Sequence, residues 1–279
     1  MKLKTKRNKK DYSRRVWEID ALRGLSILLR ILDHLAFDFA YLLPQMYSNY
    51  FSINNPFIRY RENLCFQVRN SNWALICHFI FSGLFFVLSG ISCSFSHNNF
   101  VHALKILLGC VILDGVTYAL YFITGGSRDA RILFGVLFPL GISVLLVAIV
   151  DKLFKNEDAR FLFALSVFIF VICLANHLYY SEIYIDEITS FRDVIDLLTG
   201  KYCFGADYFP LIPYLAPTFF GAALGKVFYK KKQTLLSIPH AFFKPLCFMG
   251  RNTRWVYLVH QPIRIALLVL ITLPRGYRF

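Results

Sequence analysis

Charge is what this sequence has least of. Only 17% of its 279 residues are Asp, Glu, Lys or Arg, against about 25% in a soluble domain. That leaves too little polar surface to clothe a water-soluble globule. Several catalytic signatures are also missing: no P-loop, dinucleotide fingerprint, G-x-S-x-G or H-E-x-x-H occurs, which removes the motif-based case for the enzyme classes those mark. Seven cysteines are scattered without C-x-x-C spacing. Most sit in apolar runs and read as small buried thiols, while Cys65 and Cys203 fall in long polar loops, where a disulfide stays open. His78, His97, His102, His177 and His240 have no partners at metal spacing, so no metal is expected. There is no internal repeat and no low-complexity segment.

What is present is apolar. Hydrophobic residues make up 57% of the chain, and the mean hydropathy is +0.51. Runs near 20 residues long recur, the length needed to cross a hydrocarbon core of about 30 Å. Helices satisfy their own backbone groups in lipid. The expected fold is therefore all-α, a polytopic membrane bundle of about seven transmembrane helices near 18–43, 73–96, 100–123, 132–151, 160–180, 208–229 and 255–273, with a short interfacial helix conceivable in 237–254. Residues 1–15 form a basic tail, and 16–279 form one domain. The tail does not read as a cleaved signal, because Asp20, Arg23, Arg30 and Asp33 interrupt the apolar run that follows.

The net charge of +14 lies mainly in the tail and between the apolar runs. That is how topology signals and headgroup contacts look, so no nucleic acid partner is expected. Lys105, Lys152, Lys155, Arg160, Lys226, Lys230, Lys231, Lys232, Lys244, Arg251 and Arg254 share one side with the tail. The positive-inside rule makes that side cytoplasmic and turns the loops 44–72 and 181–207 outward. An odd helix count then puts the C-terminus outside.

The first helix carries the residues that lipid should exclude. Asp20, Arg23, Arg30, His34 and Asp38 fall within an arc of about 80°, with Ser26 and Asp33 about 40° and 60° beyond one edge. Each charge near the bilayer centre costs several kcal/mol, and such residues tend to mark a site or a pathway. Asp38 lies at i+4 from His34, placed to orient its imidazole, and an imidazole so held is a candidate general base. The bland reading is an ion-pair ladder locking helices together. On the last helix Arg254, Tyr257, Gln261 and Arg264 share a face, with His260 beside it and Pro262 at membrane depth; site and structural readings weigh equally there. Ser82, Ser89, Cys93 and Ser96 share a face with Gly83 and Gly90 nearby, which suits close packing. Pro210 and Pro213 suit the first turn of the sixth helix, with Asp207 placed to cap it.

W-E-I-D-A-L-R-G-L-S-I-L-L-R-I-L-D-H-L-A-F-D-F (17–39) resembles the opening of the heparan-α-glucosaminide N-acetyltransferase catalytic-domain family, short bacterial form. The matching residues are Arg15, Asp20, Arg23, Gly24 and His34. Similar motifs follow in order at 85–99, 132–143, 207–215 and 250–262. Phe138 stands where that family usually has a His, Arg30 where an apolar residue is usual, and Thr253-Arg254 replaces Ser-Leu. The resemblance implies an integral bacterial plasma-membrane acyltransferase. It would pass an acetyl or other acyl group from cytoplasmic acetyl-CoA, a co-substrate and not a resident cofactor, to an amino sugar or other envelope glycan acceptor outside. On that reading His34, Asp38, Arg30 and Asp20 are the catalytic set. Arg23, Arg251 and Arg254 bind the donor, and His260, Gln261 and Tyr257 serve the acceptor end or the structure. The partners are the lipid bilayer, acyl-CoA and the glycan acceptor; a homo-oligomer is compatible with the sequence. A small transporter using the first-helix stripe as a pathway is the rival, and an inactive scaffold the third reading.

Overall fold

A computed structural model describes residues 16–42, 63–64, 66–68, 71–123, 132–154, 159–179, 183–185, 187–204, 207–236 and 240–272, with some side chains inside the helices excepted. The basic tail, most of the 44–72 loop and Cys65 lie outside the described residues.

The described chain is mostly helical. It holds α1 (Trp17–Phe37), α2 (Asn72–Cys93), α3 (Asn99–Ile123), α4 (Leu137–Leu153), α5 (Ala159–Tyr179), α6 (Phe191–Thr199), α7 (Leu211–Phe228), α8 (Lys244–Arg251) and α9 (Thr253–Thr272). A single π-helical turn, Asp38–Leu42, continues α1. The long helices stand where the apolar runs predict them. By length and composition three are able to cross a membrane, namely α2, α3 and α7. The ionisable residues of α1 and the 17-residue length of α4 keep those two outside that test. Apolar side chains face outward over α3 and α5, among them Val111, Phe122, Phe168 and Phe170. In water that surface would be a liability; in lipid it is the solvent-facing side.

The start of the fourth helix differs from expectation, whereas the short helix left open in 237–254 is present. The fourth helix starts at Leu137 and not at 132, because Phe134 takes a left-handed φ of 59° that breaks the ladder. The 237–254 region holds a 3₁₀ turn at His240–Phe243 followed by α8. The loop before α7 adds α6 and a two-strand parallel pair, β1 (Ile183–Tyr184) and β2 (Tyr202–Cys203), with Ile183 opposite Tyr202. A capping box starts α6: Ser190 Oγ accepts from the Asp193 N–H at 3.3 Å, and Asp193 Oδ2 accepts from the Ser190 N–H at 2.8 Å. Its pattern is Ser190 three residues ahead of the acidic Asp193.

The core sits where α7 meets α2, α4 and α5. Phe86, Leu140, Val144, Val147, Leu162 and Phe219 are buried there in one cluster. Glycines bring the helices close. A Cβ on Gly90 would lie 2.1 Å from the Thr218 carbonyl oxygen, and one on Gly221 would lie 2.0 Å from that of Val87. The second seam joins α1 to α8, where a Cβ on Gly24 would meet the Leu246 carbonyl oxygen at 1.9 Å and one on Gly250 that of Asp20 at 1.8 Å. These contacts are with backbone, so no side-chain rotation relieves them.

Gly24→Ala therefore forces α1 and α8 apart and lowers the thermal midpoint in detergent, at a cost of about 1–3 kcal/mol. Gly83→Ala, where an added Cβ meets nothing within 4 Å, leaves the midpoint unchanged or raises it slightly, since Ala exceeds Gly by up to about 1 kcal/mol in a helix. Equal destabilisation by both would contradict the seam. The α6 cap is pH-sensitive. The N–H of Thr189, then that of Ser190, holds the Asp193 carboxyl below its ordinary range. The cap is complete above the unfolded value of about 3.9 and is lost as pH falls through the lower folded value. Amide protection in α6 should persist through pH 4 and fade below it, and Asp193→Asn should remove that dependence.

Candidate active site

Lipid offers no partner to a charge, so the stripe on α1 must find its counter-ions within the bundle. It finds them on α8, α9 and the segment before α7, in three levels.

At the level nearest the start of α1, Asp20 is 6% exposed. Its carboxylate accepts from Arg251 Nε at 3.1 Å and lies 3.8 Å from Arg23 Nη1. Beside it the buried Glu18 accepts from Thr234 Oγ1 and from the Leu235 N–H, both at 2.6 Å. That carboxylate pins the segment after α7 to α1, a role sequence reasoning missed. Above these lies a cavity of about 200 Å³. Arg23, Arg251, Lys105 and His102 give it basic character, Ser89 and Ser92 hydroxyls, and Phe85, Ile106, Leu137 and Leu140 apolar walls; Tyr257 also lines it. So Ser89, expected to serve packing, faces a hollow.

At the middle level Asp207 is the hub. Arg30 Nη2 donates to its Oδ1 at 3.2 Å, His34 Nε2 lies 3.9 Å from the same oxygen, and the Tyr257 hydroxyl donates to Oδ2 at 3.2 Å. Asp207 therefore does not cap the sixth helix: Pro210 holds that position, with no side-chain cap. Its backbone takes a left-handed φ of 49°, which Asp tolerates better than most residues. The neighbouring Phe209 N–H bonds the Phe134 carbonyl at 2.9 Å. Arg30 Nη1 also donates to Asp33 Oδ2 at 3.2 Å and touches His78 Nδ1 at 2.9 Å, while its guanidinium lies 4.8 Å from the Phe209 ring centroid. His78, which looked partnerless in the sequence, thus sits between Arg30 and Asp33.

At the far level Asp38 meets Arg264 Nη1 at 2.7 Å. The expectation that Asp38 orients His34 is corrected here. The turn widens to a π-helix at Asp38 and carries its carboxylate to α9. His34 instead has Asp207 on one side and the His260 ring on the other, 5.5 Å between centroids.

The partners keep the same order along both helices. Asp20 meets Arg251 just before α9, His34 meets His260, and Asp38 meets Arg264. The two stripes read separately in the sequence form one seam between parallel helices. Tyr257 joins the levels, since its side chain lines the cavity while its hydroxyl reaches the hub. Gln261 is half-buried on α9, and the Arg254 side chain lies outside the described residues. Among the described residues no group of His, Cys, Asp and Glu is placed to hold a metal.

The cavity thus has basic and apolar walls, and His34 lies 3.9 Å from the Asp207 carboxylate. Neither the curated proteins nor the solved structures contain a match to this chain. A family model does match, described as heparan-alpha-glucosaminide N-acetyltransferase, catalytic, over residues 57–262. That span takes in His78, Asp207, Arg251, Tyr257 and His260 and begins beyond α1. With well over half its length inside the match, the chain belongs to the heparan-alpha-glucosaminide N-acetyltransferase catalytic family.

Proposed function

We propose that this chain is a membrane acyltransferase that takes an acetyl or other acyl group from cytoplasmic acyl-CoA and gives it to an amine or hydroxyl of an envelope glycan on the opposite side. All seven long helices cross the bilayer in this reading, with the start of α1 cytoplasmic. The observation that carries it is the cavity lined by Tyr257, whose hydroxyl reaches the Asp207 hub. At about 1.5 Å per residue, Arg23 and His34 lie about 16 Å apart along α1, so a donor anchored at the basic end must extend its acyl group along the helix.

Arg23, Lys105 and Arg251 attract the donor's phosphates, Arg as a planar fork and Lys as a point charge. The apolar walls take the arm that carries the thioester. His34 is the general base. Its Nε2 lies 3.9 Å from Asp207 Oδ1, and the neutral ring offers one nitrogen lone pair to the acceptor's proton. The acceptor nitrogen or oxygen attacks the thioester carbonyl carbon and His34 takes its proton. The C–S bond then breaks, and the proton passes to the departing thiolate. Arg30 is a positioning residue, because its guanidinium is already engaged by Asp33 and Asp207. Asp20 fixes Arg23 and Arg251 at the mouth, and Asp38 belongs to the far level.

Two outcomes test this reading in purified protein. Arg23→Ala should weaken acetyl-CoA binding by calorimetry about tenfold or more, the effect of losing one charge-assisted contact. His34→Gln should leave that binding unchanged and lower acceptor-dependent CoA release by about 10²–10⁴. Failure of well-folded wild-type protein to bind acetyl-CoA would remove the mechanism, and uptake of solutes by proteoliposomes would then be the assay to run.

A further inference from the structure

Three non-glycine residues among those described take a positive φ: Phe134 at 59°, Asp207 at 49° and Lys232 at 52°. Lys232 lies in an exposed turn after α7. The other two meet. The N–H of Phe209, two residues past Asp207, donates to the Phe134 carbonyl at 2.9 Å. A left-handed backbone is costly for a bulky side chain, because its Cβ crowds the following carbonyl oxygen. Asp bears that conformation better than most residues; Phe does not. Starting α4 does not by itself explain the cost. Glycine takes a positive φ freely, yet Gly135, the next residue, does not adopt one. Strained backbone persists only where its surroundings over-determine it, and such positions cluster at active sites.

The surroundings of Phe134 tie it down on both sides. Two residues earlier, the buried Ile132 offers its carbonyl to Thr117 Oγ1 of α3 at 3.3 Å. Gly135 lets the segment close on the hub, since a Cβ there would lie 2.8 Å from Ile132 Cγ2 and 3.8 Å from the Asp207 carbonyl oxygen. The Phe134 ring packs edge-on against that of Phe138, 4.8 Å between centroids. Phe209 is 2% exposed, and its ring packs on Tyr214 at 5.1 Å and under the Arg30 guanidinium.

We infer that Phe134 is a positioning residue for the reacting centre. Its left-handed backbone aims the carbonyl that anchors Phe209. The anchored chain then holds Asp207 where one carboxylate oxygen faces Arg30 and His34 and the other meets Tyr257. A right-handed residue at 134 would turn that carbonyl away and free the segment that carries the hub. The consequence for rate rests on the acyltransferase reading, in which a misplacement of about 1 Å costs about 10²-fold. The backbone joint itself stands apart from that reading.

The test uses full-length protein in nanodiscs, with acetyl-CoA as the donor probe and glucosamine as the acceptor probe. Phe134→Ala, Phe134→Gly and Phe134→Asn all remove the ring, but only Gly and Asn take a positive φ readily. Phe134→Ala is expected to lower kcat at least tenfold with KM for acetyl-CoA unchanged, and to speed hydrogen exchange at the Phe209 amide at least tenfold. Phe134→Gly and Phe134→Asn are expected to recover most of the rate and of the protection. Phe134→Gly should also melt above Phe134→Ala, the reverse of their order in a helix. Equal losses in all three variants would mean that the ring alone matters and would overturn the inference. Full rate and protection in Phe134→Ala would overturn it too. Wild type that neither binds acetyl-CoA nor releases CoA sinks the acyltransferase reading, and exchange at Phe209 with the melting order then decides the joint alone. Should Phe134→Ala not fold, judged by gel filtration, Phe134→Leu replaces it, because Leu keeps apolar bulk and the same aversion to positive φ. A Phe134→Leu rate at or above that of Phe134→Asn overturns the inference.

Discussion

A hydrocarbon solvent cannot satisfy a charge, and the bundle is arranged around that fact. α1 carries acidic, basic and imidazole groups along its length, each costly where lipid surrounds it. The economical solution is a second helix with complementary groups in the same order. The end of α8 and then α9 supply it, with Arg251 meeting Asp20, Arg264 meeting Asp38 and Asp207 inserted between them against Arg30. Breaking the hub would leave Arg30 without one of its two carboxylates, and a buried pair that loses one member is strongly destabilised. The seam is therefore both scaffold and candidate chemistry. The geometry that makes the charges tolerable also orders them from a basic mouth to a buried polar end.

Glycine seams do complementary work. Gly24 and Gly250 draw α8 onto the start of α1, which sets Arg251 against Asp20. Gly90 and Gly221 draw α2 onto α7, the helix that follows Asp207. Packing of backbone against backbone fixes the hub and the mouth to within a small tolerance, because no side chain intervenes to flex. Between these two seams the walls of α2, α3 and α4 leave the cavity unfilled. Tyr257 is the one side chain described that touches both the cavity and the hub, and the account of transfer depends on it.

Much of this was legible in the sequence, for identifiable reasons. Helix positions follow from apolar runs, and the polar stripes follow from a period of 3.6 residues, so Arg30, His34, Tyr257 and His260 could be singled out. The pairing between stripes was not legible, because periodicity within a helix says nothing about its neighbour. Asp207 was misread for the same reason. Its local context, just ahead of two prolines and an apolar run, matches a helix cap, whereas its partner Arg30 lies 177 residues away. Asp38 was assigned to His34 on i+4 spacing, which fails where the helix widens into a π turn. His78 and Glu18 looked unremarkable alone, and only tertiary contact gives them partners. The family resemblance ran ahead of the physics in naming a chemistry, and the family match then bore out the membership.

The central claim is that donor and acceptor enter from opposite ends of one continuous site. Sealed proteoliposomes of defined protein orientation test it most directly. Radiolabelled acetyl-CoA is placed on the side of the N-terminal tail and glucosamine on the other. The account predicts label on the glucosamine outside while free CoA stays on the donor side. Label transferred only when both substrates share one side, in vesicles shown to be intact, would contradict it.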